Sequence, residues 1–162
     1  MRHLPGPVWR AVALVGAVLL PSAFPGGWPA RPDLVLLVVV AVGLVRGPAA
    51  AALTGLAGGW LLDLVPPGSE PLGASALSYL GVGLLAGWLR RFATWSGLLP
   101  LVAVLAAAVL VQGIRGVAAA AGIGVAHPVD LAWSVAMTLI GAVVLLPVLL
   151  AVERALLARG WT

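Results

Sequence analysis

Long apolar runs, separated by charged residues and prolines, dominate the pattern of this chain. A helix needs about 20 apolar residues, and at least about 17, to cross a hydrocarbon core about 30 Å thick. The last three runs meet that length directly, whereas the first three are short unless their flanks are included. The six runs are Ala11–Phe24, Leu34–Val45, Ala49–Leu62, Pro71–Leu89, Phe92–Ile114 and Leu131–Val152.

The second run gives the weakest predicted span. Pro32 suits the first turn of a helix, and Asp33 then lies at the positive end of the helix dipole. At the other end, Arg46 can extend its guanidinium group to the membrane interface. Residues 32–46 are still few for a membrane-spanning helix, so the alternative is a helix packed inside the bundle.

The pattern predicts an all-α fold, a polytopic transmembrane helical bundle of about six helices in a single domain. The predicted spans are approximately residues 9–25, 32–46, 48–63, 72–89, 96–116 and 130–152. Composition agrees, because 62% of the 162 residues are hydrophobic and 9% are charged. A soluble domain is nearer half apolar and about a quarter charged.

The arginines favour an even number of spans. If both termini are cytoplasmic, seven of the nine basic residues lie inside, and only Arg31 and Arg115 lie outside. This distribution obeys the positive-inside rule. The cytoplasmic arginines are Arg2, Arg10, Arg46, Arg90, Arg91, Arg154 and Arg159, and the external acidic residues are Asp33, Asp63, Glu70 and Asp130. Scattered arginines without interleaved aromatic residues also exclude a nucleic-acid-binding surface.

The first run has an alternative interpretation as a secretory signal peptide. Arg2 and Arg10 precede Ala11–Leu20, and small residues follow near Ala23. Trp28 at the external interface favours a retained helix with an aromatic anchor instead.

The residue inventory predicts no catalytic, metal-binding or cofactor-binding site. The chain has no cysteine, and its two histidines, His3 and His127, lie outside the apolar runs without metal-ligand spacing. His127 is therefore interpreted as a solvated loop residue rather than a ligand. Ser75 and Ser78 have no histidine in a partner span, so helix–helix hydrogen bonding is the better interpretation of these serines.

Asp63 and two glycine pairs are the candidates for structural or partner contacts. Asp63 is either a solvated carboxylate at a helix end or a structural or partner-binding charge, with Arg115 as its candidate counterion. The glycine pairs, Gly55 with Gly59 and Gly83 with Gly87, each form a GxxxG motif that lets helices approach closely. Ala13 and Ala17 form a weaker small-residue pair in the first run.

The segment Arg31–Arg91 also carries an ordered set of motifs. In sequence order they are Arg31-Pro32-Asp33-Leu34, Arg46-Gly47-Pro48, Gly55, Gly58, Gly59, Asp63, Leu72-Gly73, Tyr79 and Arg90-Arg91. In this order and spacing the segment resembles the rod shape-determining protein MreD family. The loop Asp63–Gly73 departs from the family pattern, because it is slightly longer and carries additional prolines and Glu70.

The resemblance implies a non-enzymatic protein of the bacterial inner membrane. It would scaffold an MreC-like membrane protein, together with an MreB-type cytoskeleton and the wall-elongation synthases, and so control cell shape. The family's fold is thought to be similar to the substrate-binding component of energy-coupling-factor transporters, so a solute-binding subunit of a vitamin transporter is the alternative function. The predicted partner or structural positions are Pro32, Asp33, Gly55, Gly59, Asp63, Leu72, Gly73, Tyr79, Gly83, Gly87 and Arg115.

Overall fold

The computed structural model describes residues 5–23, 31–65, 72–92 and 96–160. These residues form six α-helices and two short 3₁₀ turns, and they contain no strand. The prediction of an all-α fold with about six helices is therefore confirmed. The α-helices are α1 (Pro5–Leu19), α2 (Leu34–Arg46), α3 (Pro48–Leu64), α4 (Ala74–Leu89), α5 (Leu99–Ala120) and α6 (Pro128–Ala158), and the 3₁₀ turns are Leu20–Ala23 and Arg90–Phe92.

Local signals set both ends of α2. At its start, the Asp33 carboxylate accepts a hydrogen bond from the Leu36 backbone N–H at 3.0 Å, which satisfies one of the free donors of a helix N-terminus. Pro32 precedes this cap and so lies just outside the first turn in which it was expected. At the other end, Gly47 has a φ of 99°, and Pro48 then opens α3. A single residue therefore joins the two helices.

Helix α2 lies at the centre of the bundle. Each residue from Val35 to Val45 is buried, and α2 contacts all five other α-helices. A helix that is apolar on every side is expected to be enclosed by protein or lipid, and here other helices enclose it. Its 13 residues span only about 20 Å. The interpretation of this run as a helix packed inside the bundle is confirmed.

Contacts along α2 fix the directions of its neighbours. Asp33 at its start meets Tyr79 of α4 and Thr138 of α6, and Arg46 at its end meets Glu153 of α6. Helices α2, α4 and α6 therefore run in one direction. Helix α3 packs antiparallel to α4, the later part of α5 meets the early part of α6, and the early part of α1 lies beside Glu153 of α6. Helices α1, α3 and α5 therefore run in the other direction. We call the two ends of the bundle the Asp33 end and the Arg46 end.

Apolar side chains cover much of the outside of the bundle, whereas several polar side chains lie inside it. The buried polar residues are Thr54, Asp63, Ser78, Gln112, Thr138 and Glu153. Large exposed apolar residues occur on every helix except α2, and examples are Val12, Leu53, Leu84, Val109 and Val144. Among the described residues, α5 and α6 are long and apolar enough to cross a membrane.

Helix α1 is an integral part of this bundle. Leu14 and Ala17 belong to the buried core, and Ala13 packs against that core. The Ala13/Ala17 face therefore points into the chain. Removal of α1 as a signal peptide would expose the core residues that α1 covers. His3, Trp28, Glu70 and Trp95 lie outside the described residues.

Candidate functional site

The two GxxxG motifs face each other across the contact between α3 and α4. A methyl group at any of the four glycines would collide with the backbone of the facing helix. The facing positions are Gly55 with Tyr79, Gly59 with Ala76, Gly83 with Ala51 and Gly87 with Pro48. These small faces are occupied within the chain, which corrects the expectation that they are available to a partner helix. Helices α3 and α4 are antiparallel neighbours in the chain, and each packs its glycine face against the backbone of the other.

Asp63 joins the end of α3 to the start of α4. Asp63 as a whole residue is 6% exposed, and its Oδ2 atom accepts hydrogen bonds from the backbone N–H groups of Gly73 at 3.0 Å and Ala76 at 3.3 Å. A negative charge at this position is favoured by the unpaired N–H groups and the dipole of α4. Gly73 itself has a φ of 92°, which glycine adopts without strain. Asp63 is therefore a structural capping residue.

The predicted pair between Asp63 and Arg115 does not form among the described residues. The Asp63 carboxylate turns toward the N-terminus of α4. Arg115, on α5, instead lies within electrostatic reach of Asp33 and Tyr79. Asp63 and Arg115 both lie at the Asp33 end of the bundle, as predicted. Asp63 belongs to the contact between α3 and α4, whereas Arg115 lies near Asp33 and Tyr79. Leu72, which precedes the capped turn, is largely exposed.

Removal of the Asp63 side chain should destabilise the bundle. We expect Asp63→Ala to lower the free energy of unfolding by about 1–2 kcal/mol, because two N–H groups at the start of α4 lose their acceptor. Asp63→Asn should cost less, because an amide oxygen can still accept one bond. Denaturant titration in mild detergent, followed by tryptophan fluorescence, measures both. The control is Asp130→Ala, an exposed carboxylate in the first turn of α6, and equal losses at Asp63 and Asp130 would contradict the capping role.

Asp33 forms the centre of a second polar cluster at the same end of the bundle. Besides capping α2, its carboxylate accepts a hydrogen bond from the Tyr79 hydroxyl, and its backbone N–H donates to Thr138 Oγ1 at 3.0 Å. Tyr79 is 1% exposed. The cluster therefore ties α2 to α4 and α6. Sequence reasoning identified Asp33, Tyr79 and Arg115 but missed Thr138, because a threonine within an apolar run carries no distinctive pattern.

A cavity of about 710 Å³ opens beside this cluster, between α4, α5 and α6. Its polar lining residues are Arg31, Ser75, Ser78, Tyr79, Gln112, Arg115, His127, Asp130 and Ser134. Gln112 Nε2 donates to Ser134 Oγ at 2.7 Å, but the buried Gln112 Oε1 has no hydrogen-bond partner within the part of the chain that the structure describes. Pockets of this size and mixed lining suit small organic ligands. No cluster of potential metal ligands occurs among the described residues.

A buried charge cluster lies at the Arg46 end. Arg46 Nε donates to Glu153 Oε2 at 2.7 Å, and Arg10 Nε lies 3.9 Å from Glu153 Oε1. The Glu153 side chain is 3% exposed and that of Arg46 is 6% exposed. The cluster connects α1, α2 and α6. Helix α6 continues through Glu153 to Ala158, beyond the predicted end of the sixth span at residue 152.

Sequence reasoning missed Glu153, although a signal was present. Glu153 is the one acidic residue on the cytoplasmic side of the predicted topology, where arginines accumulate. Such an isolated acid among arginines is a natural counterion. The carboxylates of Asp33, Asp63 and Glu153 thus all hold helices together. Of the features described, the cavity at the Asp33 end is the one suited to receiving a ligand.

Comparison of the chain with protein-family models, with curated proteins and with solved structures gave no match. The resemblance to the MreD family rests on the order of motifs in Arg31–Arg91.

Proposed function

We propose that this chain is a multi-pass protein of the bacterial inner membrane. The observation that carries the proposal is the largely apolar exterior of the bundle. Only 22% of the most apolar part of α6 is buried, whereas a core helix of a soluble protein would be mostly enclosed. Water would make so large an apolar exterior unfavourable at about 25 cal/mol per Å², and lipid removes that cost.

Charge at the two ends supports cytoplasmic termini. Around the Arg46 end lie arginines from α1, α2 and α6 and from the short turn after α4, and the acidic caps Asp33 and Asp63 lie at the other end. The arginines at the Arg46 end are Arg10, Arg46, Arg90, Arg91, Arg154 and Arg159. The Arg91 guanidinium also lies 3.8 Å from the centre of the Trp88 ring, a pairing suited to a membrane interface. By the positive-inside rule, this distribution of arginines supports a cytoplasmic Arg46 end.

Within that membrane the protein acts as a non-enzymatic scaffold for cell-wall elongation. The ordered motifs of Arg31–Arg91 support this role, because they fall on three consecutive helices that pack closely on one another, α2, α3 and α4, and on the turns that flank these helices. The mechanism is positional: the bundle holds and orients the membrane anchor of an MreC-like protein and so influences the assembly of the synthases and the MreB-type cytoskeleton. Since the glycine faces are filled, this anchor packs on the outward surface of the bundle.

Co-purification with partners tests this role. We expect an MreC-like protein to be recovered with the tagged chain in mild detergent, and we expect depletion to disturb cell shape or the site of wall insertion. A photo-crosslinking residue placed along the outward faces should give partner products at positions three or four residues apart on one helix. Reporter fusions after Arg91 and in the Glu70 loop should read cytoplasmic and external, respectively. Recovery of no wall-elongation protein, with unchanged cell shape, would contradict the proposal.

The cavity at the Asp33 end favours a second candidate function, a solute-binding subunit of an energy-coupling-factor-type vitamin transporter. Such a component needs a polar pocket, and the cavity provides guanidinium, amide and hydroxyl groups. A feature of α1 disfavours this candidate, because the small-residue face at Ala13 and Ala17 packs inside the chain rather than facing an outside partner. Recovery of an energy-coupling ATPase module, together with loss of vitamin uptake on depletion, would favour the transporter function.

A further inference from the structure

The charged residues that line the cavity at the Asp33 end do not form ion pairs with one another. They are Arg31, Arg115 and Asp130, and each is exposed. Arg115 lies within electrostatic reach of Asp33 and Tyr79, so the Asp33 carboxylate offsets its charge. Among the described residues, no ion pair joins either arginine to Asp130. Arg31 and Asp130 therefore offer a ligand one positive and one negative group.

Two serine hydroxyls in the cavity add one hydrogen-bond donor and one acceptor. Ser134 Oγ accepts a hydrogen bond from Gln112 Nε2 at 2.7 Å, so its own proton is left for another acceptor. The Ser78 hydroxyl donates to the backbone oxygen of Ala74 at 2.8 Å, so its lone pairs are left for another donor. Because a peptide group presents one acceptor and one donor, it matches this pair of hydroxyls.

Apolar side chains form much of the remaining wall of the cavity. They come from α5, from the connection between α5 and α6, and from the start of α6. The larger ones are Val111, Ile114, Ile123, Val125 and Leu131. Ligand pockets commonly combine an apolar lining with a few placed polar groups. This lining therefore suits a molecule that has apolar side chains between charged ends.

We propose that the cavity binds a short peptide with free termini and apolar side chains. Its carboxylate pairs with Arg31, its ammonium group pairs with Asp130, and a peptide group lies between them at Ser78 and Ser134. A free amino acid fits less well, because its two charges flank a single carbon atom, whereas Arg31 and Asp130 lie too far apart to pair. The inference uses the cavity alone and is independent of the proposed role in cell shape.

Isothermal titration calorimetry of the full chain in mild detergent tests the proposal, with detergent alone as the blank. The probes are leucyl-leucine, N-acetyl-leucyl-leucine, which keeps only the negative charge, leucyl-leucinamide, which keeps only the positive charge, and free leucine. We expect one leucyl-leucine to bind per chain. Blocking either terminus should weaken binding about fivefold, at the upper end for an exposed ion pair. Leucine should bind more weakly than leucyl-leucine, because it has no peptide group.

Two substitutions at exposed residues assign the ends of the bound peptide. Asp130→Asn should weaken the binding of leucyl-leucine about fivefold but should not weaken that of N-acetyl-leucyl-leucine, which has no ammonium group. Arg31→Gln should weaken leucyl-leucine by a similar factor but should not weaken leucyl-leucinamide, which has no carboxylate. The control is Arg154→Gln, an exposed arginine on α6 at the opposite end of the bundle, and it should bind every probe as the unaltered chain does.

Several results would overturn the proposal. Absence of saturable binding of leucyl-leucine, or equal binding of the three leucyl-leucine probes, would show that the two charges do not select a ligand. Equal binding of leucine would contradict the peptide in favour of a free amino acid, and tighter binding of N-acetyl-leucyl-leucine would contradict it in favour of an anion. Equal losses in Arg31→Gln and Arg154→Gln would contradict the assigned site. Each of these results leaves the membrane placement and the scaffold role standing, because neither depends on the cavity.

Discussion

Replacing Gly83 by alanine is expected to lower the free energy of unfolding of the bundle by about 3 kcal/mol, near the upper end of the usual cost of overpacking. The added methyl group would collide with backbone atoms of Ala51 on α3, and a backbone cannot rotate away as a side chain can. Helix α3 cannot shift freely either, because Gly55, Gly59 and Gly87 make equally close backbone contacts on the same face.

The same helix provides a matched control. A methyl group at Gly81 lies 3.8 Å from Leu110 Cδ2, which is an ordinary contact. Gly81→Ala should therefore change stability by less than about 1 kcal/mol, in the stabilising direction, because alanine has the higher helix propensity. Unfolding in mild detergent, followed by tryptophan fluorescence, compares the two variants. If Gly83→Ala is as stable as Gly81→Ala, the close contact between α3 and α4 is not a feature of the folded protein.

Neutralising Glu153 is expected to have an effect of similar size. Glu153→Gln leaves the guanidinium groups of Arg46 and Arg10 facing each other without their shared counterion. Removal of one partner from a buried ion pair costs about 3–5 kcal/mol, because the remaining charge stays buried and uncompensated. Helix α1 should loosen first, since its ion pair with Glu153 is the longer one, at 3.9 Å.

The neighbouring residue supplies the control for Glu153. Arg154 is exposed, so Arg154→Gln should change stability by less than about 0.5 kcal/mol. The double variant Arg46→Gln/Glu153→Gln should lose less than the sum of the two single losses, because residues in direct contact are coupled. Strict additivity, or equal stability of Glu153→Gln and Arg154→Gln, would show that the cluster contributes little.

The number of helices could be predicted from the sequence because charged residues and prolines divide it into six apolar runs, and each run forms one α-helix. The sequence also predicted Asp33 at the positive end of the second helix, but it did not predict that its side chain caps the helix through the Leu36 N–H group. The sequence predicted a helix packed inside the bundle at α2 only as the alternative to a membrane-spanning helix. Its run is apolar on all sides, and that property fits enclosure by lipid as well as enclosure by other helices.

The pairing of polar residues could not be predicted in the same way. Position along a helix gives the depth of a residue in the bundle, so Asp63 and Arg115 were placed correctly at one end. Depth does not determine which neighbouring helix a side chain faces, and that choice depends on the packing order of all six helices. Glu153 was missed for a related reason, because a charge at the end of a span is normally exposed, and only the packing of α1 and α2 encloses it.

The burial of α2 has a consequence for the order in which the protein is made. The side-chain partners at both ends of this helix, Thr138 for Asp33 and Glu153 for Arg46, belong to α6, which is synthesised after the other five helices. Until α6 leaves the ribosome, these contacts of the second helix are unmade and part of its apolar surface is uncovered. The central helix of the bundle therefore gains its contacts with α6 only after the last of the six helices has been made.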